Sequence, residues 1–398
     1  MQGETSNKIK RVMKIVAITA EFNPLHNGHL RLMEKARSLS PDILLVILNG
    51  DITQRGTLAL QDKYTRARHA ILAGADAVIE LPQMFGASCA ERFADAAVKL
   101  LAALPAEEKV LAFGSEEGEI APLQNAADVL SEEPVELAVD LRELMDMGFS
   151  YPAARAQAFA AYTEQKGIAV ADLTKPNNIL AIEYLRAIKK RGGVTPYTIK
   201  RSGEYHNQSI DKEEPSASAL RAALNTEEKE AALAALPPYV AEDLKNAEGK
   251  DALSPILLYR LSEMTAKELS KIADVSEGIE NRILRLSKEC VDLDSLVKAV
   301  STKRYTESRV RRILVSALLN VDQKTFEKEI NAAPYYKVLG VKKQRTDILS
   351  LFSRAGTLLT GEEEARESGI FSAVIDAKAH DLYRVAKATD LEDGMLLF

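Results

Sequence analysis

The chain has 398 residues, 46% apolar and 28% charged, an ordinary globular composition with enough length for two or three domains. Two widely spaced cysteines, Cys89 and Cys290, exclude a disulfide framework or a zinc set and point to a reducing cytoplasm. A net charge of −6 argues against blanket nucleic-acid binding, and the longest aliphatic run, Ile43 to Leu48, is too short to span a bilayer.

Residues 1–12 are polar and basic with no apolar core, so they read as a leader or extension outside the fold, with Met13 as an alternative start. Ile15–Thr19 is a β-branched run predicting a strand. It feeds Glu21-Phe22-Asn23-Pro24-Leu25-His26-Asn27-Gly28-His29-Leu30, after which Leu30, Met33, Ala36 and Arg37 follow helical spacing. Strand, tight loop and helix in that order place an anion on the free N–H groups of the helix start. His26 and His29 flank Gly28, which lets a phosphate chain approach the backbone, and both imidazoles can stabilise charge developing on a phosphoryl group.

Further strands are expected at Ile43–Leu48, Ala77–Glu80, Val110–Phe113 and Pro196–Lys200, with helices near His29–Ser38, Lys63–Ala73 and Ala90–Leu104. Apolar strands alternating with helices predict a parallel sheet covered on both faces, with ligands beyond the carboxyl ends of its strands. The loops directly after the strands therefore supply the candidates. Asn49 to Gly56 carries Asp51, Gln54 and Arg55, and Arg55 can clamp a phosphate or carboxylate. Gly114 opens the backbone to a base or ribose. Ser88 is expected to cap the next helix, and Cys89 to be a buried small residue. From Ile120 to Gln165 the pattern is helical, punctuated by Pro134 and Pro152. Asn177 and Asn178 open a helix, as caps or as contacts to a nucleotide, and Arg201 with Ser202 ends the fifth strand. Ser216, Ser218 and Arg221 combine a helix start, hydroxyls and a guanidinium into an anion site.

From Glu227 onward the pattern is mostly helical. Between Asn281 and Arg345, 15 Lys and Arg stand against 7 Asp and Glu, so this segment carries +8 and leaves −14 for the remainder. A basic segment in an acidic chain is a polyanion footprint. Lys303, Arg304, Tyr305, Arg309, Arg311 and Arg312 cluster cations around a tyrosine able to stack on a base, and Tyr335-Tyr336 precedes the basic Lys342-Lys343.

The His-x-Gly-His stretch resembles the signature of the adenylyl-transferring, Rossmann-like nucleotidyltransferases. Together with Gln54-Arg55-Gly56, Ile79-Glu80-Leu81-Pro82, Ser88 to Phe93, Phe113-Gly114-Ser115-Glu116, Pro176 to Tyr184 and Lys303-Arg304-Tyr305-Thr306, it resembles the tRNA(Met) cytidine acetate ligase family. The resemblance covers Met13 to about residue 350. It departs from the superfamily's usual Gly-Ser/Thr-Phe opening, where Ala20-Glu21-Phe22 stands.

The resemblance implies an α/β fold: a Rossmann-like parallel-sheet domain over 13–225, then a mostly α-helical, tRNA-binding domain over 226–398. It implies ATP contacts at Thr19, Ala20, Glu21, Phe22, Asn23, Pro24, Leu25, His26, Asn27, Gly28, His29, Leu30, Arg31 and Leu32, with Gly114, Asn177, Arg201 and Ser202. His26 and His29 are the expected catalytic groups, beside Arg55. The implied reaction joins acetate and ATP into acetyl-adenylate, with Mg²⁺ on the triphosphate and no assigned metal ligands beyond a guess at Asp51. Acetyl then passes to N4 of the wobble cytidine of elongator tRNA(Met). No membrane and no obligate protein partner are expected. Two alternatives stand beside it: an adenylyltransferase making a nucleotide cofactor, and a non-enzymatic RNA-binding protein that senses ATP.

Overall fold

The computed structural model describes residues 12–201, 216–245 and 253–398. The first half runs β1 (Lys14–Ala20), α1 (Asn27–Ser38), β2 (Ile43–Asn49), α2 (Lys63–Leu72), β3 (Ala77–Leu81), α3 (Gln83–Gly86), α4 (Ala90–Ala102) and β4 (Glu108–Ser115). Then come α5 (Ile120–Glu132), α6 (Val135–Asp146), α7 (Tyr151–Lys166), α8 (Pro176–Arg191) and β5 (Thr195–Lys200). Every strand and helix expected in this half is present, with ends shifted by at most two residues. Pro134 is the N-cap of α6 and Pro152 lies in the first turn of α7, where a missing N–H costs nothing.

The five strands are parallel, in the order β5-β4-β1-β2-β3. All seven residues of β2 are buried, as a strand covered on both faces requires. After β3 the chain returns to the far side of β1 to place β4, so the strand order reverses at β1 and a crevice opens at the carboxyl ends of β1 and β4. Ser88 does not cap α4. Its hydroxyl donates back to the Phe85 carbonyl at 2.6 Å, and the half-buried Cys89 holds the N-cap position.

The second half continues with α9 (Ala217–Ala223), α10 (Lys229–Ala234), α11 (Pro238–Lys245), α12 (Leu253–Glu263), α13 (Ala266–Leu269), α14 (Ile279–Leu286), α15 (Leu293–Val300), α16 (Glu307–Leu319) and α17 (Gln323–Glu329). It is not helical throughout. β6 (Tyr335–Val341) returns to the sheet antiparallel to β3, so Tyr335 and Tyr336 are buried strand residues and not an exposed aromatic pair. After α18 (Asp347–Ala355), β7 (Thr357–Leu359), α19 (Glu362–Glu367) and α20 (Phe371–Lys387), β8 (Leu396–Leu397) follows, and both short strands pair with β6. One apolar core joins a sheet face to α4, α5, α8 and the helices from α12 to α17. The other joins the opposite face to α1, α2 and α9 to α11. No helix of the described residues is long and apolar enough to cross a membrane.

Candidate active site

The turn out of β1 is held from beneath. Phe22 takes a left-handed φ of 46°, unusual for an aromatic residue, and its buried ring meets the His29 ring edge-on at 5.0 Å. The Asn23–Pro24 peptide is cis. The Asn23 side chain accepts the Leu60 N–H at 2.8 Å, and Arg66, fully buried on α2, donates to the carbonyls of Glu21, Asn49 and Gly50. One guanidinium thus joins the ends of β1 and β2, from which the two main loops leave.

His26 is the N-cap of α1 and His29 is its third residue, and together they form a capping box. His26 Nδ1 accepts the Gly28 N–H at 3.1 Å, and His29 Nδ1 accepts the His26 N–H at 3.3 Å. A ring nitrogen that accepts carries no proton, so in each neutral imidazole the proton sits on Nε2. The rings lie 3.9 Å apart, tilted by 32°. Burial, then the charges of Arg201 and Arg221, lowers the His26 pKa to about 3; burial, then His26 and Arg201, lowers His29 well below its ordinary value. The pair is therefore neutral in the free protein near pH 7 and offers two oriented N–H donors, not two charges.

Both rings line a cavity of about 450 Å³ at the crevice. From the first loop, Glu21, Asn23, His26, Gly28, His29, Arg31 and Leu32 reach it; Thr19, Ala20, Phe22, Pro24, Leu25, Asn27 and Leu30 do not. Thr19 instead bonds the Tyr184 hydroxyl, and Ala20, Phe22 and Leu25 are core. On the β4–β5 side stand Gly114, Asn177 and Arg201; Ser202 lies outside the described residues. A Cβ on Gly114 would come within 3.1 Å of the Arg201 side chain, so a larger residue there would push that arginine aside by a few tenths of an ångström. Arg201 donates to the Asn177 side chain at 3.1 Å. Ser216, Ser218 and Arg221 form a third wall: the Ser216 hydroxyl accepts the Ala219 N–H at 3.1 Å, and Arg221 donates to the Asn23 carbonyl at 2.6 Å. Arg55 lines the β2 side with Thr53 and Thr57. Six Lys and Arg (Arg31, Lys35, Arg55, Lys200, Arg201, Arg221) against two Glu (Glu21, Glu34) make the lining strongly cationic.

This arrangement matches known proteins along most of its length. The model of the HIGH Nucleotidyl Transferase family matches residues 13–394. The tRNA(Met) cytidine acetate ligase of Caldanaerobacter subterraneus subsp. tengcongensis is 39% identical over 85% of this chain and 85% of its own; that of Clostridium acetobutylicum is 36% identical over 87% and 89%. The chain belongs to the tRNA(Met) cytidine acetate ligase family. In structure it is similar to Thermotoga maritima TmcAL, 28% identical, covering 97% of this chain and 100% of that one. The TM-score is 0.87 for the apo form and 0.84 for the form bound with alpha-thio ATP.

The ligase-family residues of the basic segment lie apart from the cavity lining, and most are engaged. Arg304 pairs with Glu277 at 3.3 Å, Arg311 with Asp294 at 2.7 Å and Arg312 with Asp274 at 3.9 Å. Arg309 donates to Ser276 at 2.6 Å and lies over the Tyr305 ring at 5.2 Å. Tyr305 is 9% exposed and bonds Glu277, so the expected base-stacking platform is a packed residue. Lys303 is exposed. The segment nonetheless touches the site: Gly56, at φ 73°, packs so closely on α16 that a Cβ there would lie 2.8 Å from Arg311 Cβ.

Two features escaped the sequence, and one guess is corrected. Glu116, at the end of β4, accepts the N–H groups of Asn177 and Asn178 at 3.2 and 2.7 Å and the Asn177 amide at 2.7 Å, so a carboxylate from another loop caps α8 and aims Asn177. Its place after Phe113-Gly114-Ser115 was the available signal. Arg66 carried no signal, because a charged residue in a helical pattern reads as a solvated face. Asp51, the guessed metal ligand, is 1% exposed and held by His380 at 2.6 Å, away from the lining. Among the described residues no group of three His, Cys, Asp or Glu could hold a metal ion.

Proposed function

We propose that this protein is an ATP-dependent ligase that activates acetate as acetyl-adenylate and acetylates N4 of the wobble cytidine of elongator tRNA(Met). An acetate oxygen attacks the α-phosphorus of ATP, the bond from that phosphorus to the β-phosphate oxygen breaks, and pyrophosphate leaves. The cytidine amine then attacks the acetyl carbonyl, AMP leaves, and the amine loses a proton. The His26–His29 capping box carries the reading: two neutral imidazoles with their Nε2 protons fixed, at a helix start, beside a cationic wall. Donors preorganised in this way stabilise oxygens whose charge rises in the transition state.

In this reading Gly114, Asn177 and Arg201 receive the nucleoside, and Ser216, Ser218 and Arg221 receive the leaving phosphates. Arg55, with Thr53 and Thr57 across the strand order from the nucleoside, faces the acyl side. The residues do not fit a protein-held cation, so any Mg²⁺ is carried by the nucleotide phosphates. Most of the 303–312 cations are occupied by acids, so we assign tRNA phosphates first to the exposed Lys35 and Lys200 at the cavity rim and to Lys303. We place the enzyme in the cytoplasm with its tRNA.

The test is exchange of labelled pyrophosphate into ATP, with and without acetate and with and without tRNA(Met). Exchange that requires acetate, hydroxylamine trapping of acetyl hydroxamate, and N4-acetylcytidine in the tRNA are expected. Absence of both exchange and acetylated tRNA under all conditions refutes the reading.

A further inference from the structure

A cluster of charged side chains lies buried behind the cavity. Lys63, from α2, sits 2.9 Å from both Glu80 and Glu362, and Lys337, from β6, sits 3.2 Å from Glu80 and bonds Glu362; none of the four exceeds 2% exposure. The cluster continues to Asp51, where β2 turns into the loop that carries Thr53, Arg55 and Thr57. One Asp51 oxygen accepts the Lys63 N–H at 2.7 Å and lies 3.7 Å from the Arg66 guanidinium. The other lies 2.6 Å from Nδ1 of His380, on α20 and 1% exposed.

The opposite nitrogen of that ring, Nε2, is 3.0 Å from the Glu392 carbonyl and 3.6 Å from the Asp393 carboxylate. Both ring nitrogens of His380 therefore face oxygens that only accept. A neutral imidazole has one N–H and would leave one of these close contacts between two lone pairs, so the ring must carry both protons. Protonating Asp51 instead is opposed by the Lys63 N–H and by Arg66. The groups facing the ring are Asp51 from the β2 loop, Lys63 and Tyr64 from α2, Glu362 from α19 and Asp393 from the carboxyl-terminal stretch. The Tyr64 ring stands edge-on at 5.3 Å. Burial and Lys63 oppose the charge, but Asp51 and Glu362 favour it, and the net effect raises His380 above its ordinary value.

We propose that His380 is a positioning residue: as a buried imidazolium it clasps Asp51 and thereby holds the 51–57 loop, with Arg55, against the cavity. The catalytic consequence rests on the ligase reading above; the clasp itself does not. Other neighbours tie down the rest of the loop. Gln83 bonds Ile52 at both its N–H and its carbonyl, and Glu21 accepts the Gln54 N–H at 2.6 Å. His380 alone reaches Asp51 from the opposite end of the chain, 329 residues away in sequence. When the ring loses a proton it loses its charge and one of its two bonds, so the clasp is strongest while the ring is charged and weakens, from an ion pair to at most a single bond from a neutral donor, as pH rises through the raised pKa.

Two measurements on the full chain test this without using the reaction. In protein labelled with ¹⁵N-histidine, the ring signals that vanish in His380→Gln should show both nitrogens protonated at pH 7.5; a neutral ring there overturns the proposal. In hydrogen exchange, the peptide spanning 51–60 should exchange at least tenfold faster in His380→Gln, with β1 and β4 unchanged. Wild-type protein should show a smaller increase confined to the same peptide at pH 9.5 after correction for intrinsic rates. Unchanged protection, or an increase spread evenly over the sheet, overturns it, and the wild-type measurements decide if the variant does not fold. In the pyrophosphate exchange assay, kcat should fall at least tenfold in His380→Gln, with KM for ATP within threefold. A wild-type protein with neither exchange nor acetylated tRNA under any condition refutes the ligase reading while leaving the ring and loop results standing. An unchanged kcat beside a loosened loop refutes the positioning role.

Discussion

Replacing His29 with alanine removes two things that can be measured apart. The first is the reach-back bond from the His26 N–H to His29 Nδ1, half of the α1 capping box. Loss of such a cap costs about 1 kcal/mol, small beside the roughly 5–15 kcal/mol of a folded protein, so the variant stays folded. The second is a preorganised N–H donor at a buried, cationic site. Deleting one donor of this kind lowers kcat by about 10² to 10³, or about 2.7–4 kcal/mol of transition-state stabilisation. The catalytic loss therefore exceeds the stability loss by about 2 kcal/mol or more, and the variant is expected to bind ATP while turning over slowly. His29→Gln separates the terms. Glutamine at the third helical position can accept the N-cap N–H, so stability should return to within about 0.5 kcal/mol of wild type, while turnover stays at least tenfold down because the amide cannot place its donor where the ring Nε2 lies. Urea unfolding followed by circular dichroism measures the loss of the cap, and acetate-dependent pyrophosphate exchange at saturating ATP measures the loss of the donor. An alanine variant with turnover within threefold of wild type would remove His29 from the chemistry.

Two further outcomes follow from the same geometry. His26, His29 and His69 are held below the ordinary histidine pKa, chiefly by burial, His26 at about 3; below pH 6.5 the unfolded chain takes up protons that the folded chain refuses. Unfolding free energy should thus fall between pH 6.5 and 4.5, above the main carboxylate range, by up to about 1.4 kcal/mol per pH unit per histidine, and His26→Gln should flatten the slope; an equal slope in that variant contradicts the assignment. Glu116→Ala should cost about 1 kcal/mol of stability by uncapping α8 and raise KM for ATP about tenfold with kcat little changed, because Asn177 loses the carboxylate that aims it; a fall in kcat at constant KM would place Glu116 in the chemistry itself.

The sequence by itself determined the elements whose signals are contiguous. An apolar run followed by Asn-Pro, a His-x-Gly-His loop and a helical stripe is a strand, anion loop and helix by local rules, and within it Asn23, His26, Gly28 and His29 do open onto the cavity. Gly114 and Arg201 were legible because in a parallel sheet the residues at the carboxyl ends of the strands share one edge, and Asn177, Ser216 and Arg221 because they lie at helix starts. Tertiary structure alone decided the rest. Tyr335 to Val341 becomes a sheet strand only by pairing with β3, more than 250 residues earlier, and that pairing buries Lys337 beside Glu80. Lys63, Arg66 and His380 sit in helical patterns that read as solvated faces, since a charge in a helix looks the same in sequence whether it meets water or an opposite charge. Tyr305 and the arginines around it look like an RNA platform until Asp274 and Glu277 from the α13–α14 loop and Asp294 from α15 occupy them. Local pattern encodes which element forms and which end it presents; which charges are paired is fixed by contacts between distant segments, and no short-range pattern carries that information.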